Sequence, residues 1–139
     1  MNHTGTGVSK PILLIALGGN AMIRKGQQGT ISEQFENLRV PISQIAELVE
    51  EYNIINTHGN GPQVGNLMLQ QESCNAVPKL PLEILVAQTQ GQIGYMIESV
   101  LDEMLMEKGA GFHPLVSLIT YVVVDRNDPA FVRPTKPIG

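Results

Sequence analysis

Two glycine-rich turns are the parts of this sequence best suited to chemistry. The first is Gly18-Gly19-Asn20 and the second is Gly59-Asn60-Gly61. Glycine lets backbone N–H groups come close to an anion, and the N-terminus of a following helix adds positive potential. Asn20 and Asn60 offer side-chain donors without adding charge. The pattern predicts an anion site in which two facing turns hold a transferring phosphoryl group between them.

Each turn also has a simpler interpretation, in which glycine only permits a tight connection from a strand to a helix. Two clusters that follow two predicted strands favour anion binding over this simpler reading. Neither turn is a standard nucleotide fingerprint. Gly59–Gly65 only approximates Gly-x-Gly-x-x-Gly, and it lacks the Lys-Ser/Thr of a P-loop.

Three apolar runs predict the strands that position these turns. The continuous run Ile12–Leu17 predicts a strand buried on both faces, and Asn53–Thr57 predicts a second strand. The β-branched run Leu115–Val124 predicts a third. Strands separated by helices predict an α/β fold, a three-layer sandwich with a mainly parallel sheet. Ligands bind beyond the carboxyl ends of such strands, where both turns lie.

Apolar residues at three- and four-residue spacing predict the helices between the strands, from Thr30 to Tyr52, from Val64 to Glu72 and from Leu82 to Leu105. Thr30 with Glu33 has the spacing of a capping box. Pro41 predicts a kink or two abutting helices. Gly91 and Gly94 leave open whether the last helix is one bent helix or two.

Composition excludes several classes of function. Hydrophobic residues make up 42% of the 139-residue chain, enough for the core of one domain. The net charge of −4 argues against non-specific nucleic-acid binding, and one cysteine cannot form an internal disulfide. No apolar run is long enough to span a membrane, and no signal peptide is visible. We therefore expect a cytoplasmic protein with neither nucleic-acid nor membrane partners.

Other reactive side chains have simpler explanations. Cys74 with His58 or His113 lacks a local catalytic signature, and the histidines lack metal-ligand spacing. We expect His58 to hydrogen-bond the second turn. Asp125 and Asp128 could suggest a Mg²⁺ pair, but Asp128-Pro129 is better explained by turn initiation.

Gln90 and Lys136 each keep two interpretations on their residue types alone. Gln90 lies beside Gly91, and it either faces the substrate or belongs to a polar helix face. Lys136 could supply a point charge to a phosphoryl group, although most loop lysines are simply solvated.

Five strings resemble those of carbamate kinase, an amino-acid kinase, and occur in that family's order. They are Leu17–Ala21, His58–Asn66, Thr89–Tyr95, Val122–Asp125, and Asp128–Phe131 with Pro134–Gly139. The resemblance implies an amino-acid-kinase fold, in which the N-terminal lobe binds the phosphoryl acceptor and the C-terminal lobe binds ATP. It implies the reaction of ATP and carbamate to ADP and carbamoyl phosphate, with Mg²⁺, in a homodimeric enzyme of arginine metabolism.

The resemblance also assigns roles to individual residues. Gly18, Gly19 and Asn20 would contact the acceptor and the phosphoryl group, together with Gly59, Asn60 and Gly61. By the same resemblance, Lys136 would reach toward that group. We count Lys136, Gly18, Asn20, Gly59 and Asn60 as candidate catalytic residues, and Gln90 as a candidate substrate contact.

The sequence departs from the family where it stops. We expect residues 1–10 to be a flexible tail, 11–125 the acceptor-binding lobe, and 126–139 the start of a truncated subdomain, with the nucleotide lobe and its Mg²⁺ site absent. A catalytically inactive truncated product, or a phosphate-binding module, is the alternative. An acetylglutamate or uridylate kinase is disfavoured by the five strings and by Ala16, where several of those relatives carry lysine.

Overall fold

The computed structural model describes residues 9–111 and 113–135. Within them, two strands and three α-helices alternate along the chain, which confirms the α/β class. The elements are β1 (Ile12–Leu17), α1 (Ile31–Leu48), β2 (Asn53–His58), α2 (Gly61–Glu72) and α3 (Leu82–Glu107). Short 3₁₀ turns cover Gly19–Ala21 and Pro129–Phe131.

The two strands form a parallel pair, as the sequence predicts. Their register runs from Ile12 opposite Asn53 to Leu17 opposite His58. Because parallel strands end at the same edge of a sheet, the residues that follow Leu17 and His58 leave the sheet side by side. The register therefore brings together the starts of the two glycine-rich turns.

The core lies where α1 and α3 pack against each other and against one face of the sheet. Both helices supply apolar side chains at helical spacing, and the most deeply buried include Leu38, Ile42, Ile93, Met96 and Val100. Full burial of each such side chain contributes about 1.5–3 kcal/mol. The helices thereby hold β1 in place through Leu17, which belongs to the same cluster.

The expectation that β1 is buried on both faces is wrong for the described residues. Ile12 is 70% exposed and Leu14 is 65% exposed, whereas Leu13 and Ile15 are partly covered. Successive side chains of a strand point to opposite faces. None of the described helices covers the face that carries Ile12 and Leu14.

The helices are more continuous than the sequence indicates. A single helix α1 runs through Pro41, because Leu38 and Ile42 on either side of it are fully buried in the core. That packing outweighs the hydrogen bond that proline removes. Likewise α3 is one helix through Gly91 and Gly94. Helix α2 starts at Gly61, earlier than predicted, with proline in its first turn, where the missing N–H costs nothing.

The predicted third strand is wrong: the structure has no strand in Leu115–Val124. A β-branched composition favours extended backbone, but a strand also needs a partner for its N–H and C=O groups. The main chain of Thr120 bonds instead to the side chain of Gln90, at 3.0 Å from Nε2 and 2.7 Å to Oε1.

Candidate anion-binding site

Each glycine-rich turn begins directly after the last paired residue of a strand. In the first turn the chain bends into a 3₁₀ turn, where the Ala21 N–H donates to the Gly18 carbonyl at 2.9 Å. In the second turn Asn60 is the N-cap of α2, and Gly61 is the first residue of that helix. Both turns therefore lie at the carboxyl edge of the sheet, where α/β proteins bind ligands.

The glycines of these turns are required neither by backbone conformation nor by packing. In the described residues a positive φ occurs at Gly26, Gly29 and Gly109, and not in either turn. An added Cβ would meet no atom within 4 Å at the four turn positions Gly18, Gly19, Gly59 and Gly61. The space beside the backbone is open, so a ligand can approach the main chain at all four positions.

The N-terminus of α2 adds positive potential to the second turn. The first N–H groups of a helix have no partner within the helix, and they carry part of its dipole. The first turn of α2 contains no acidic residue that would offset this potential. An anion beside Gly61 would therefore meet unopposed donors, without the cost of desolvating a charged side chain.

The side chain of Asn60 is hydrogen-bonded to α3, so it is not free to turn toward a ligand. Its Nδ2 donates to Thr89 Oγ1 at 2.9 Å, and Thr89 is fully buried and also donates to the Leu85 carbonyl at 3.1 Å. The second turn is thus attached to the rigid centre of the core helix. Asn20, in contrast, is exposed at the surface of the first turn.

A network of buried side-chain amides, which the sequence did not reveal, supports both turns through hydrogen bonds. Gln63 Nε2 donates to Gln34 Oε1 at 2.9 Å, and Gln34 Nε2 donates to the Gly29 carbonyl at 2.7 Å. Asn37 Nδ2 donates to the carbonyl of Met22, just after the first turn, at 2.8 Å. The available signal was the position of Gln34 and Asn37 within the apolar stripe of α1, where a polar residue needs a partner.

The remaining candidates fall outside the turns. Gln90 uses both ends of its amide on Thr120, so it tethers the extended segment to α3. His58 Nδ1 lies 3.1 Å from the Gly59 carbonyl, which confirms the expected contact with the turn. Asp128 caps the 3₁₀ turn by accepting from the Ala130 N–H at 2.7 Å, as turn initiation requires. Lys136 lies outside the described residues, as do residues 1–8 of the predicted tail.

Among residues 9–111 and 113–135, no three His, Cys, Asp or Glu side chains are grouped so that they could hold a metal ion. Cys74 is exposed. No helix in the same ranges combines the length and apolarity needed to cross a membrane.

Comparison with known proteins points to one family. Carbamate kinase of Thermococcus kodakarensis is 46% identical over 132 residues, covering 91% of this chain and 42% of the relative. The enzyme of Pyrococcus horikoshii is 44% identical, with 91% of this chain and 41% of the relative covered. The chain is a homologue of the carbamate kinases. No protein-family model matches it.

Solved structures of carbamate kinase share this fold. Carbamate kinase from Giardia lamblia bound to AMP-PNP superposes with a TM-score of 0.84 and 36% identity, over 95% of this chain and 42% of that chain. A second structure of the Giardia enzyme superposes with the same TM-score. This chain covers 46% of that structure's chain. This carbamate kinase homologue therefore spans less than half the length of the relatives it matches.

Proposed function

We propose that this chain is the acceptor-binding lobe of a carbamate kinase, which transfers a phosphoryl group between ATP and carbamate. One observation carries the proposal. Two glycine-rich turns open side by side at the ends of paired parallel strands, and open space surrounds their backbone. The homology supports it by supplying the reaction, since the relatives named above are carbamate kinases.

The proposed chemistry needs donors more than it needs a base. An anionic carbamate oxygen attacks the γ-phosphorus of ATP, the new O–P bond forms, and ADP leaves with the electrons of the broken bond. Carbamate is already ionised, so no side chain has to remove a proton. Phosphoryl transfer then depends on positioning and on stabilising charge on the phosphoryl oxygens. Backbone N–H groups of the two turns, with the N-terminus of α2, supply this stabilisation.

Individual residues divide this work. Gly18, Gly19, Gly59 and Gly61 present the main chain to the acceptor and the phosphoryl group, and the exposed Asn20 adds a side-chain donor. Asn60, fixed by Thr89, holds the second turn in position. Lys136 reaches toward the phosphoryl group as a point charge, a role carried over from the resemblance alone.

Nucleotide and Mg²⁺ belong to another part of the enzyme in this proposal. The Giardia relative is bound to AMP-PNP, and this chain covers 42% of that structure. Mg²⁺ prefers carboxylate and phosphate oxygens as ligands. The two turns carry no acidic residue, so their side chains do not suit Mg²⁺. We therefore assign ATP or ADP, with its Mg²⁺, to a lobe beyond the described residues.

Two measurements on the purified 139-residue chain test the proposal. Carbamoyl phosphate should shift the backbone amide resonances of Gly18–Asn20 and Gly59–Gly61 in a titration followed by NMR. Carbamoyl phosphate with ADP and Mg²⁺ should yield no ATP. Shifts confined to other residues would contradict the acceptor site, and ATP formation would contradict the division of labour between lobes.

Inorganic phosphate, acetylglutamate and UMP serve as competing ligands in the same titration. Equal responses to phosphate and carbamoyl phosphate would favour the alternative function, a phosphate-binding module without acceptor specificity. A stronger response to acetylglutamate or UMP would replace carbamate kinase with another amino-acid kinase.

A further inference from the structure

Asn60 is the one asparagine in the sequence that is followed directly by glycine. An asparagine in this context can lose its side-chain amide without an enzyme. The backbone nitrogen of the next residue attacks the side-chain carbonyl carbon, Cγ, and a glycine at that position has no side chain to obstruct the attack. The Asn60-Gly61 pair is therefore the asparagine position at which the covalent structure of this chain changes most easily.

The backbone nitrogen of Gly61 is available for this reaction. Gly61 is the first residue of α2, so its N–H has no partner within the helix. No carbonyl in the described part of the chain accepts a hydrogen bond from it. A Cβ added at Gly61 would meet no atom within 4 Å, so the space beside this residue is open. Neither a hydrogen bond nor crowding restrains the attacking group.

The side chain of Asn60, in contrast, is held in an unreactive position. Its Nδ2 donates to Thr89 Oγ1 at 2.9 Å and lies 3.4 Å from the Val86 carbonyl. Thr89 is fully buried within α3. The ψ angle of Asn60 is 20°, which turns the Gly61 nitrogen away from the Asn60 side chain. Before the two groups can react, the amide must leave Thr89 and the backbone must rotate.

We propose that Asn60 is a deamidation site and that its hydrogen bond to Thr89 sets the rate. The Gly61 nitrogen loses its proton and forms a bond to Cγ of Asn60. The bond between Cγ and Nδ2 breaks, and Nδ2 takes up that proton from solvent and leaves as ammonia. Water then opens the cyclic imide at either carbonyl, which leaves aspartate or isoaspartate at position 60. No oxidant or reductant takes part.

Deamidation places a carboxylate at the N-cap of α2, whose first turn contains no other acidic residue. A carboxylate at this position accepts hydrogen bonds from the free N–H groups of the helix and is stabilised by the helix dipole. It therefore occupies the donors that an anion would use, and it repels the anion. This consequence rests on the proposed function, whereas the deamidation does not.

Peptide mass spectrometry of the 139-residue chain during incubation at neutral pH tests the proposal. In guanidinium chloride Asn60 should convert before the other asparagines, at one rate in wild type and variants. In native buffer the wild type should convert more slowly than in denaturant. Thr89→Val removes the hydroxyl group and should accelerate native conversion about 2- to 13-fold, the rate equivalent of one net hydrogen bond. Thr89→Ser keeps the hydroxyl group and should retain the wild-type rate.

Circular dichroism should show equal helix content in the wild type and both variants. Thr89→Ala also lacks the hydroxyl group and should match Thr89→Val, so the test remains decisive if the valine variant does not fold. Equal native rates in the wild type and the variants without a hydroxyl group would overturn the proposal. So would a native wild-type rate equal to the denatured rate, or conversion of another asparagine before Asn60.

Asn60→Asp tests the consequence for binding separately. In an NMR titration of this variant, carbamoyl phosphate should no longer shift the amide resonances of Gly59 and Gly61. Unchanged shifts, together with the expected deamidation rates, would overturn the anion site of the proposed function and leave the modification site in place.

Discussion

Gln63 and Gln34 join the first turns of two helices through a single buried hydrogen bond of 2.9 Å. Each side chain is 3% exposed. Gln34 also donates to the Gly29 carbonyl, so the connection extends from α2 to the loop that follows the first glycine-rich turn. Two turns far apart in sequence are thus fixed relative to each other by amide side chains and not by apolar packing alone.

Replacing Gln34 and Gln63 together should destabilise the chain by less than the sum of the two single replacements. Gln34→Met leaves the Gly29 carbonyl without a partner and leaves Gln63 Nε2 only its weak 3.7 Å bond to Met22 Sδ, at about 1–3 kcal/mol for each buried group. The double variant with Gln63→Met removes donor and acceptor together. Urea unfolding in a double-mutant cycle should therefore give a cost below the sum of the single variants, by about 0.5–3 kcal/mol.

Gln70→Met provides the control for this cycle, because Gln70 lies exposed on α2. Its effect should stay within about 0.5 kcal/mol. Strictly additive effects of the two buried variants would show that Gln34 and Gln63 stabilise the chain independently of each other.

The sequence predicted the parts of this fold that depend on local signals. Thr30 and Glu33 form the capping box that their spacing indicates, with the Glu33 N–H donating to Thr30 Oγ1 and the Glu33 carboxylate accepting from the Thr30 N–H. The continuous apolar run of β1 and its terminal glycines likewise located the first turn. Each of these signals lies within a few residues of the structure that it specifies.

Sequence reasoning failed where the partner is distant. The strand predicted at Leu115–Val124 has the right composition but no paired edge among the described residues. Gln34 and Gln63 are 29 positions apart, and neither residue type indicates that the other is its hydrogen-bond partner. The two facing turns are different, because adjacent parallel strands predict that their ends meet, and the β1–β2 register agrees with that prediction.

Two glycines on the same helix should respond to alanine in opposite directions. A Cβ at Gly94 would lie 2.5 Å from Ser117 Oγ and 3.0 Å from Ser117 Cβ, whereas a Cβ at Gly91 would meet nothing within 4 Å. Gly94→Ala should cost about 1–3 kcal/mol through overpacking. Gly91→Ala should stabilise α3 by about 0.5–1 kcal/mol, because glycine weakens a helix interior.

Thermal unfolding of the two single variants and of Gly94→Ala with Ser117→Gly measures this difference. The added Ser117→Gly change removes both close atoms and should recover most of the lost stability. Failure of that rescue would assign the cost of Gly94→Ala to α3 itself and not to its contact with Ser117.

Glu33 should make the stability of α1 depend on pH. Hydrogen bonds from the backbone of Thr30, and also of Gly29, hold the pKa of Glu33 below its ordinary value of 4.5. A lowered pKa in the folded state stabilises the fold above pH 4.5, and this contribution is lost as the pH falls through the lowered value. The stability difference between wild type and Glu33→Gln should therefore be largest at neutral pH and shrink in acid.

Glu36→Gln is the matched control for this pH series, because Glu36 lies exposed on the same helix outside the capping box. Its stability difference from wild type should change less between neutral and acidic pH, as measured by urea unfolding at each pH. An equal change for both variants would mean that net charge, and not the capping box, produces the effect.

Gly59→Ala should separate binding from stability. The φ angle at Gly59 suits any residue, and an added Cβ meets no protein atom within 4 Å. Alanine restricts the unfolded chain, so the variant should be up to about 1 kcal/mol more stable than wild type.

The same Cβ would occupy the space through which an anion approaches the backbone, so carbamoyl phosphate affinity should fall about tenfold, a loss of about 1.4 kcal/mol. Gly91→Ala, also open but on α3 and outside the two turns, should leave affinity unchanged in the same NMR titration. Unchanged affinity in Gly59→Ala would remove the second turn from the proposed site.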